Sequence, residues 1–136
     1  MLRRIDERTL VAGQIRPDDM DALKAGGIGM IVNNRPDDEE AGQPSSADME
    51  AAARTAGIGY RYIPVASGFS ANQVEAMREA LGDADGQVLA FCRSGTRSTF
   101  LWALARAQEG DPAEDLMRKA AAAGYDLRPI EALLQR

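Results

Sequence analysis

Short apolar runs alternate along this chain with stretches whose apolar residues recur every three or four positions. Residues 9–15 form the first run and predict a strand that closes at Gly13-Gln14. Pro17-Asp18-Asp19 predicts a helix start, because proline fits a first helical turn and acids suit its positive end. Met20, Ala22 and Leu23 supply the apolar face, and Gly26-Gly27 stops the helix. Residues 28–33 are almost wholly apolar, as a buried strand is. Residues 34–44 have no apolar period and predict a long loop, a feature that often carries function in compact domains. Ser45 or Ser46 then caps a helix to about Ala56, stopped by Gly57. Residues 59–65 (Tyr60, Tyr62, Ile63, Val65) predict a third strand. A loop over 66–70 leads to a helix over 71–81 with Val74, Met77 and Leu81 on one side. Residues 83–86 turn the chain into Val88-Leu89-Ala90-Phe91, a fourth strand. A helix is expected from Ser98 to Gln108, with Phe100, Leu101, Trp102 and Leu104 facing the core. Asp111 should cap a further helix to Ala123, stopped by Gly124, and a last helix spans 129–134.

Strands alternating with helices predict an α/β fold, a three-layer sandwich whose mainly parallel sheet has four or five strands. No repeat or linker divides it, so residues 1–136 are expected to form one domain. Sites in such sheets lie beyond the carboxyl ends of the strands. The loops after residues 15, 33, 65 and 91 should therefore share one edge.

Composition narrows the chemistry. The chain is 45% hydrophobic but 5% aromatic, so its core is aliphatic and rich in alanine. A net charge of −5 makes nucleic acid and anionic membranes poor partners. No run reaches the length of a membrane span, and the charged start Met1-Leu2-Arg3-Arg4-Ile5-Asp6 does not read as a signal peptide. A single cysteine cannot form an internal disulfide, and a cytoplasmic location is expected. The chain has no histidine, which removes the commonest general base, any Cys-His dyad and most metal sites. The carboxylates lack clustered metal-ligand spacing, so neither a metal nor another cofactor is expected.

The cysteine stands in Phe91-Cys92-Arg93-Ser94-Gly95-Thr96-Arg97-Ser98, between the fourth strand and the following helix. A strand, a short loop and a helix N-terminus together make a nest of backbone N–H groups for an anion. The same field favours the Cys92 thiolate, the nucleophilic form. Gly95 supplies the positive φ that inward-facing amides need. Arg97 on a first helical turn opposes the helix dipole, and an anion in the loop would offset that cost. Arg93 is equally compatible with a rim residue. Across the sheet edge, Arg35 and Asp37 follow the second strand and are candidate contributors, together with Asp38. Asp37, Asp38, Glu39 and Glu40 read most simply as a solvated acidic loop, with one of them available as a proton donor.

Cys92-Arg93-Ser94-Gly95-Thr96-Arg97-Ser98 resembles the active loop of rhodanese-type sulfurtransferases, C-x-x-G-x-R-S. It is also similar to the protein tyrosine phosphatase loop, C-x-x-G-x-x-R-[ST], shortened by one residue. With Val11-Ala12-Gly13-Gln14-Ile15, Asn34-Arg35-Pro36-Asp37, Gly42-Gln43-Pro44-Ser45 and Tyr62-Ile63-Pro64-Val65, the chain resembles the phosphatase-like domain of the beta-lactamase-hydrolase-like proteins. The resemblance runs from about Arg4 to Ala107. It implies the fold of dual-specificity phosphatases, which is protein-tyrosine-phosphatase-like. It also implies, as partner, an enzyme of sulfide or persulfide metabolism. Some members carry a metallo-hydrolase-type domain linked to persulfide oxidation, which this chain is expected to lack.

Two departures from phosphatases follow from that comparison. The arginine lies five residues after Cys92 rather than six, and a smaller ring suits a smaller group. The loop Ala66-Ser67-Gly68-Phe69-Ser70 carries no acid where phosphatases place a proton donor. The leading expectation is sulfur transfer through a Cys92 persulfide, with Arg93 and Arg97 orienting a small anionic donor and Ser98 donating to the thiolate. The alternative is phosphoester hydrolysis through a phosphocysteine, with Asp37 or Asp38 as acid. A third is a non-catalytic anion-binding domain.

Overall fold

The structure, a computed structural model, describes residues 1–135. Five strands form one sheet: β1 Arg3–Arg4, β2 Thr9–Ala12, β3 Ile28–Asn33, β4 Gly59–Tyr62 and β5 Gln87–Phe91. Their spatial order is β1-β2-β5-β3-β4. The four longer strands run parallel, and β1 pairs antiparallel with β2. The helices are α1 Met20–Ala25, α2 Ser46–Thr55, α3 Ala71–Asp83, α4 Thr96–Gln108, α5 Ala113–Ala122 and α6 Glu131–Leu134. Short 3₁₀ turns precede α1 (Pro17–Asp19) and α6 (Arg128–Ile130).

The central strand explains the three layers. Successive residues of a strand face opposite sides. In β5, Val88 and Ala90 pack with Trp102, Leu101 and Leu116 on one face, while Leu89 and Phe91 pack with Met49, Ala53 and Ile31 on the other. Trp102 is fully buried, and its indole N–H donates to Asp6 Oδ2 at 2.9 Å, so the ring enters the core without an orphaned donor.

The differences from the expected elements have local causes. The ladder of β4 ends at Tyr62 rather than at residue 65. Pro64 lacks an N–H, although Ile63 N still bonds Asn33 O at 2.9 Å and Val65 N bonds Asn34 O at 3.0 Å. Strand β2 stops at Ala12, and the next residue, Gly13, runs so close to the Arg93 carbonyl that an added Cβ would lie 2.9 Å from its oxygen. Helix α4 begins at Thr96, before Ser98, with Gly95 at its N-cap. Asp111 does not cap α5; its carboxylate takes the Arg106 guanidinium at 2.9 and 3.2 Å, and Pro112 holds the N-cap position. Strand β1 consists of two exposed arginines and has no apolar signature.

Gly29 sits where β3 shifts register against β5. A side chain there would drive straight into the Asp85 carbonyl. Gly29→Ala should lower stability by about 1–3 kcal/mol, the scale of overpacking a close contact. Urea unfolding would measure this, with far-UV circular dichroism checking that the fold is kept.

Candidate active site around Cys92

The loop between β5 and α4 begins at Cys92, whose N–H donates to Ala12 O at 3.2 Å and continues the pairing of β5 with β2. The chain then turns so that the Gly95 N–H donates to Cys92 Sγ at 3.1 Å. Gly95 has φ 92°, a left-handed conformation that disfavours side chains. Ser94 Oγ donates to Thr96 Oγ1 at 3.0 Å and braces the turn from outside. Cys92 is fully buried, yet its sulfur faces a backbone donor at the start of a helix and is not sealed among aliphatic side chains alone.

Arg97 lies on the first turn of α4. Its Nη1 donates to Val65 O at 2.6 Å and to Glu39 Oε2 at 2.7 Å, and its Nη2 to Glu39 Oε1 at 2.9 Å. The same carboxylate accepts Arg35 Nε at 2.9 Å. Arg35 is 2% exposed, so its charge must be met inside the protein. Gln14 Oε1 accepts its Nη1 at 3.0 Å and Glu40 Oε1 its Nη2 at 3.3 Å. Arg93 stays on the exposed rim, 3.7 Å from Glu40 Oε2.

These pairs set the charge states. The hydrogen bond from Arg97, followed by that from Arg35, holds the Glu39 carboxyl down at about 2 against an ordinary 4.5, despite opposing burial. Glu39 is therefore ionised at neutral pH and has no proton to give. The hydrogen bond to Glu39 also raises the Arg97 pKa, burial opposes it, and electrostatic coupling to the neighbouring Cys92 raises it further.

The acidic loop is thus not simply solvated. Glu39 ties two arginines together, a link that a run of four acids does not reveal. Asp37 accepts the Ser46 N–H at 2.8 Å, and its own N–H donates to Tyr62 Oη at 3.0 Å. Its carboxylate anchors the loop to the start of α2. Asp38 is exposed at a turn with φ 64°. Ser98 Oγ donates to Asn34 Oδ1 at 2.8 Å, so the expected bond from Ser98 to the thiolate is replaced by one to Asn34. Asn34 is fully buried. Its N–H bonds Phe91 O at 2.8 Å and its Nδ2 bonds Ile63 O at 2.9 Å. One side chain and its backbone therefore join the ends of β3 and β5, the segment after β4, and α4. Sequence reasoning missed Asn34 and Gln14 as parts of the site. The available signal was a polar pair, Asn33-Asn34, at the end of a buried run. No cluster of three metal-ligating side chains occurs among the described residues.

Residues 1–109 match the family described as "Beta-lactamase hydrolase-like protein, phosphatase-like domain". This chain belongs to that family. It is 36% identical over 135 residues to a beta-lactamase hydrolase-like protein of Agrobacterium fabrum and 34% identical over 134 residues to one of Xylella fastidiosa. It spans 31% of the length of each of these relatives and 98% and 97% of itself. A candidate phosphatase from Neisseria meningitidis is 36% identical, with a TM-score of 0.84 covering 98% of this chain and 95% of that one. Tk-PTP, 18% identical with a TM-score of 0.71 over 98% of this chain and 92% of its own, shares the fold. This phosphatase-like domain therefore has the α/β sandwich predicted by its alternating elements and the protein-tyrosine-phosphatase-like architecture implied by the family resemblance.

The depressed Glu39 pKa has a direct pH consequence. A carboxylate whose folded pKa lies below its unfolded value stabilises the fold above the unfolded pKa, and that contribution disappears as pH falls through the folded one. Wild-type stability should drop between about 4.5 and about 2 on this account. Glu39→Gln should flatten that part of the curve of unfolding free energy against pH, measured by urea titration at stepped pH.

Proposed function

We propose that this domain transfers sulfane sulfur through a Cys92 persulfide. The observation that carries the reading is the state of Glu39. The carboxylate that reaches Arg97 is clamped by two guanidiniums and stays ionised, so it cannot protonate a leaving alkoxide at neutral pH. Sulfur transfer does not need that proton.

With thiosulfate as donor, the Cys92 thiolate attacks the outer sulfur. The new S–S bond forms as the old one breaks, and sulfite leaves with the electron pair. The persulfide anion that results lies where the Gly95 N–H and Arg97 offer positive charge. An acceptor thiolate then attacks the terminal sulfur, takes it as a new persulfide and restores the Cys92 thiolate. Arg93 on the rim is suited to drawing in an anionic donor. The cycle requires a free thiol, which fits a reducing cytoplasmic setting, and no helix among the described residues is long and apolar enough to cross a membrane. Enzymes that make or consume persulfides are the partner class this chemistry implies.

Phosphoester hydrolysis through a phosphocysteine is the second reading. The family's own description and the 36% identical Neisseria candidate phosphatase favour it. It would require a proton donor other than Glu39, or a substrate whose leaving group needs none.

Intact mass after incubation with thiosulfate separates the readings. Wild type should gain one sulfur atom and Cys92→Ser none. Arg97→Lys, which loses the fork across Glu39 and Val65, should load about tenfold more slowly. No gain in wild type, with aryl phosphate turnover that Cys92→Ser abolishes, would replace this reading by the phosphatase. Neither activity would leave an anion-binding domain.

A further inference from the structure

Helix α5 runs out through Ala120-Ala121-Ala122 into Ala123-Gly124-Tyr125, a stretch beyond the residues matched to the family. Gly124 is left-handed at φ 95°. Its N–H bonds Ala121 O at 3.0 Å, and the Tyr125 N–H reaches back to Ala120 O at 2.8 Å. These two bonds make a Schellman turn, which reverses the chain sharply after a helix. Arg3 Nη1 braces it from β1 by donating to Ala123 O at 3.2 Å. The turn sends Tyr125 to the Cys92 loop, where its hydroxyl donates to Ser94 O at 3.1 Å. The hydroxyl also fills the space into which a Gly95 side chain would project.

The Ser94 carbonyl and the Gly95 N–H belong to one peptide group. In a trans peptide the two point in opposite directions. Tyr125 therefore holds one end of the plane whose other end donates to Cys92 Sγ at 3.1 Å. A rotation of this peptide would withdraw the N–H from the sulfur and bring a carbonyl toward it. A hydrogen bond at the carbonyl also polarises the amide and strengthens its N–H as a donor.

We propose that Tyr125 is a positioning residue for Cys92, locking the Ser94–Gly95 peptide with its N–H toward the sulfur. Burial raises the tyrosine's pKa, Arg3 opposes this, and coupling to Cys92 adds a smaller upward contribution, so the hydroxyl keeps its proton at neutral pH. The role rests on Cys92 being the reactive thiol and holds for either sulfur or phosphoryl chemistry.

Tyr125→Phe keeps the ring and removes the donor. The chain has one cysteine, so iodoacetamide reports on Cys92 alone. The variant should alkylate about three- to tenfold more slowly than wild type at about pH 6.5 and nearly as fast at about pH 9. Its thermal midpoint should fall by no more than about 6 °C, the scale of one hydrogen bond. In the thiosulfate assay its maximal loading rate should fall by a similar factor, with half-saturation within about twofold of wild type. Tyr125→Leu provides a second donor-free side chain if Tyr125→Phe misfolds. Equal alkylation at both pH values and equal loading in a folded donor-free variant would overturn the role of Tyr125 alone. A wild-type Cys92 that alkylates like a free thiol and takes no sulfur would overturn the proposed function, and this role with it.

Discussion

The Glu39 carboxylate between Arg97 and Arg35 is the interaction on which the site depends. Arg35 is buried at the end of β3, and a buried guanidinium without a counter-charge would be severely unstable. Glu39 meets that need and simultaneously fixes Arg97 in two parallel hydrogen bonds. The loop after β3 is thereby tied to the first turn of α4, and the arginine beside Cys92 is aimed before any substrate arrives. The price is a carboxylate that has no proton available for acid catalysis at neutral pH.

The remaining order of the site comes from backbone groups rather than from side-chain acids and bases. A chain without histidine must activate a thiol by amides, a helix end and arginine. Gly95 directs an N–H at the sulfur, Asn34 holds four segments in register, and the Val65 carbonyl receives Arg97. Burial of Cys92 makes each of these contacts matter more, because screening by water is weak there. This arrangement gathers a backbone donor and a guanidinium around one buried sulfur, on an architecture shared with phosphatase-like proteins.

Much of this was legible in the chain. The strand over 28–33 and the run into Cys92 show in their continuous apolar residues, which both faces of a parallel sheet require. Positions 71 and 46 carry helix starts because Ser70 and Ser45 accept N–H groups there. The structure departs from the local pattern where a residue has two competing partners. Asp111 could cap a helix or pair with Arg106, and the ion pair prevailed. Ser98 could reach the thiolate or Asn34, and the rotamer facing the buried amide was taken. Strand β1 leaves no mark in the apolar pattern because edge pairing draws on backbone groups and leaves Arg3 and Arg4 exposed.

The linear sequence by itself determined the layered α/β architecture, the cysteine loop with its glycine and arginine, and the absence of histidine chemistry. Those features follow from local period, turn-forming residues and composition, all of which are properties of neighbouring positions. Tertiary structure alone decided that Glu39 serves Arg97, 58 positions away, and that Tyr125 returns to a peptide 31 positions earlier. Such partners are chosen by the distance and angle that packing leaves available, and nothing in the one-dimensional pattern of either segment encodes the other's position.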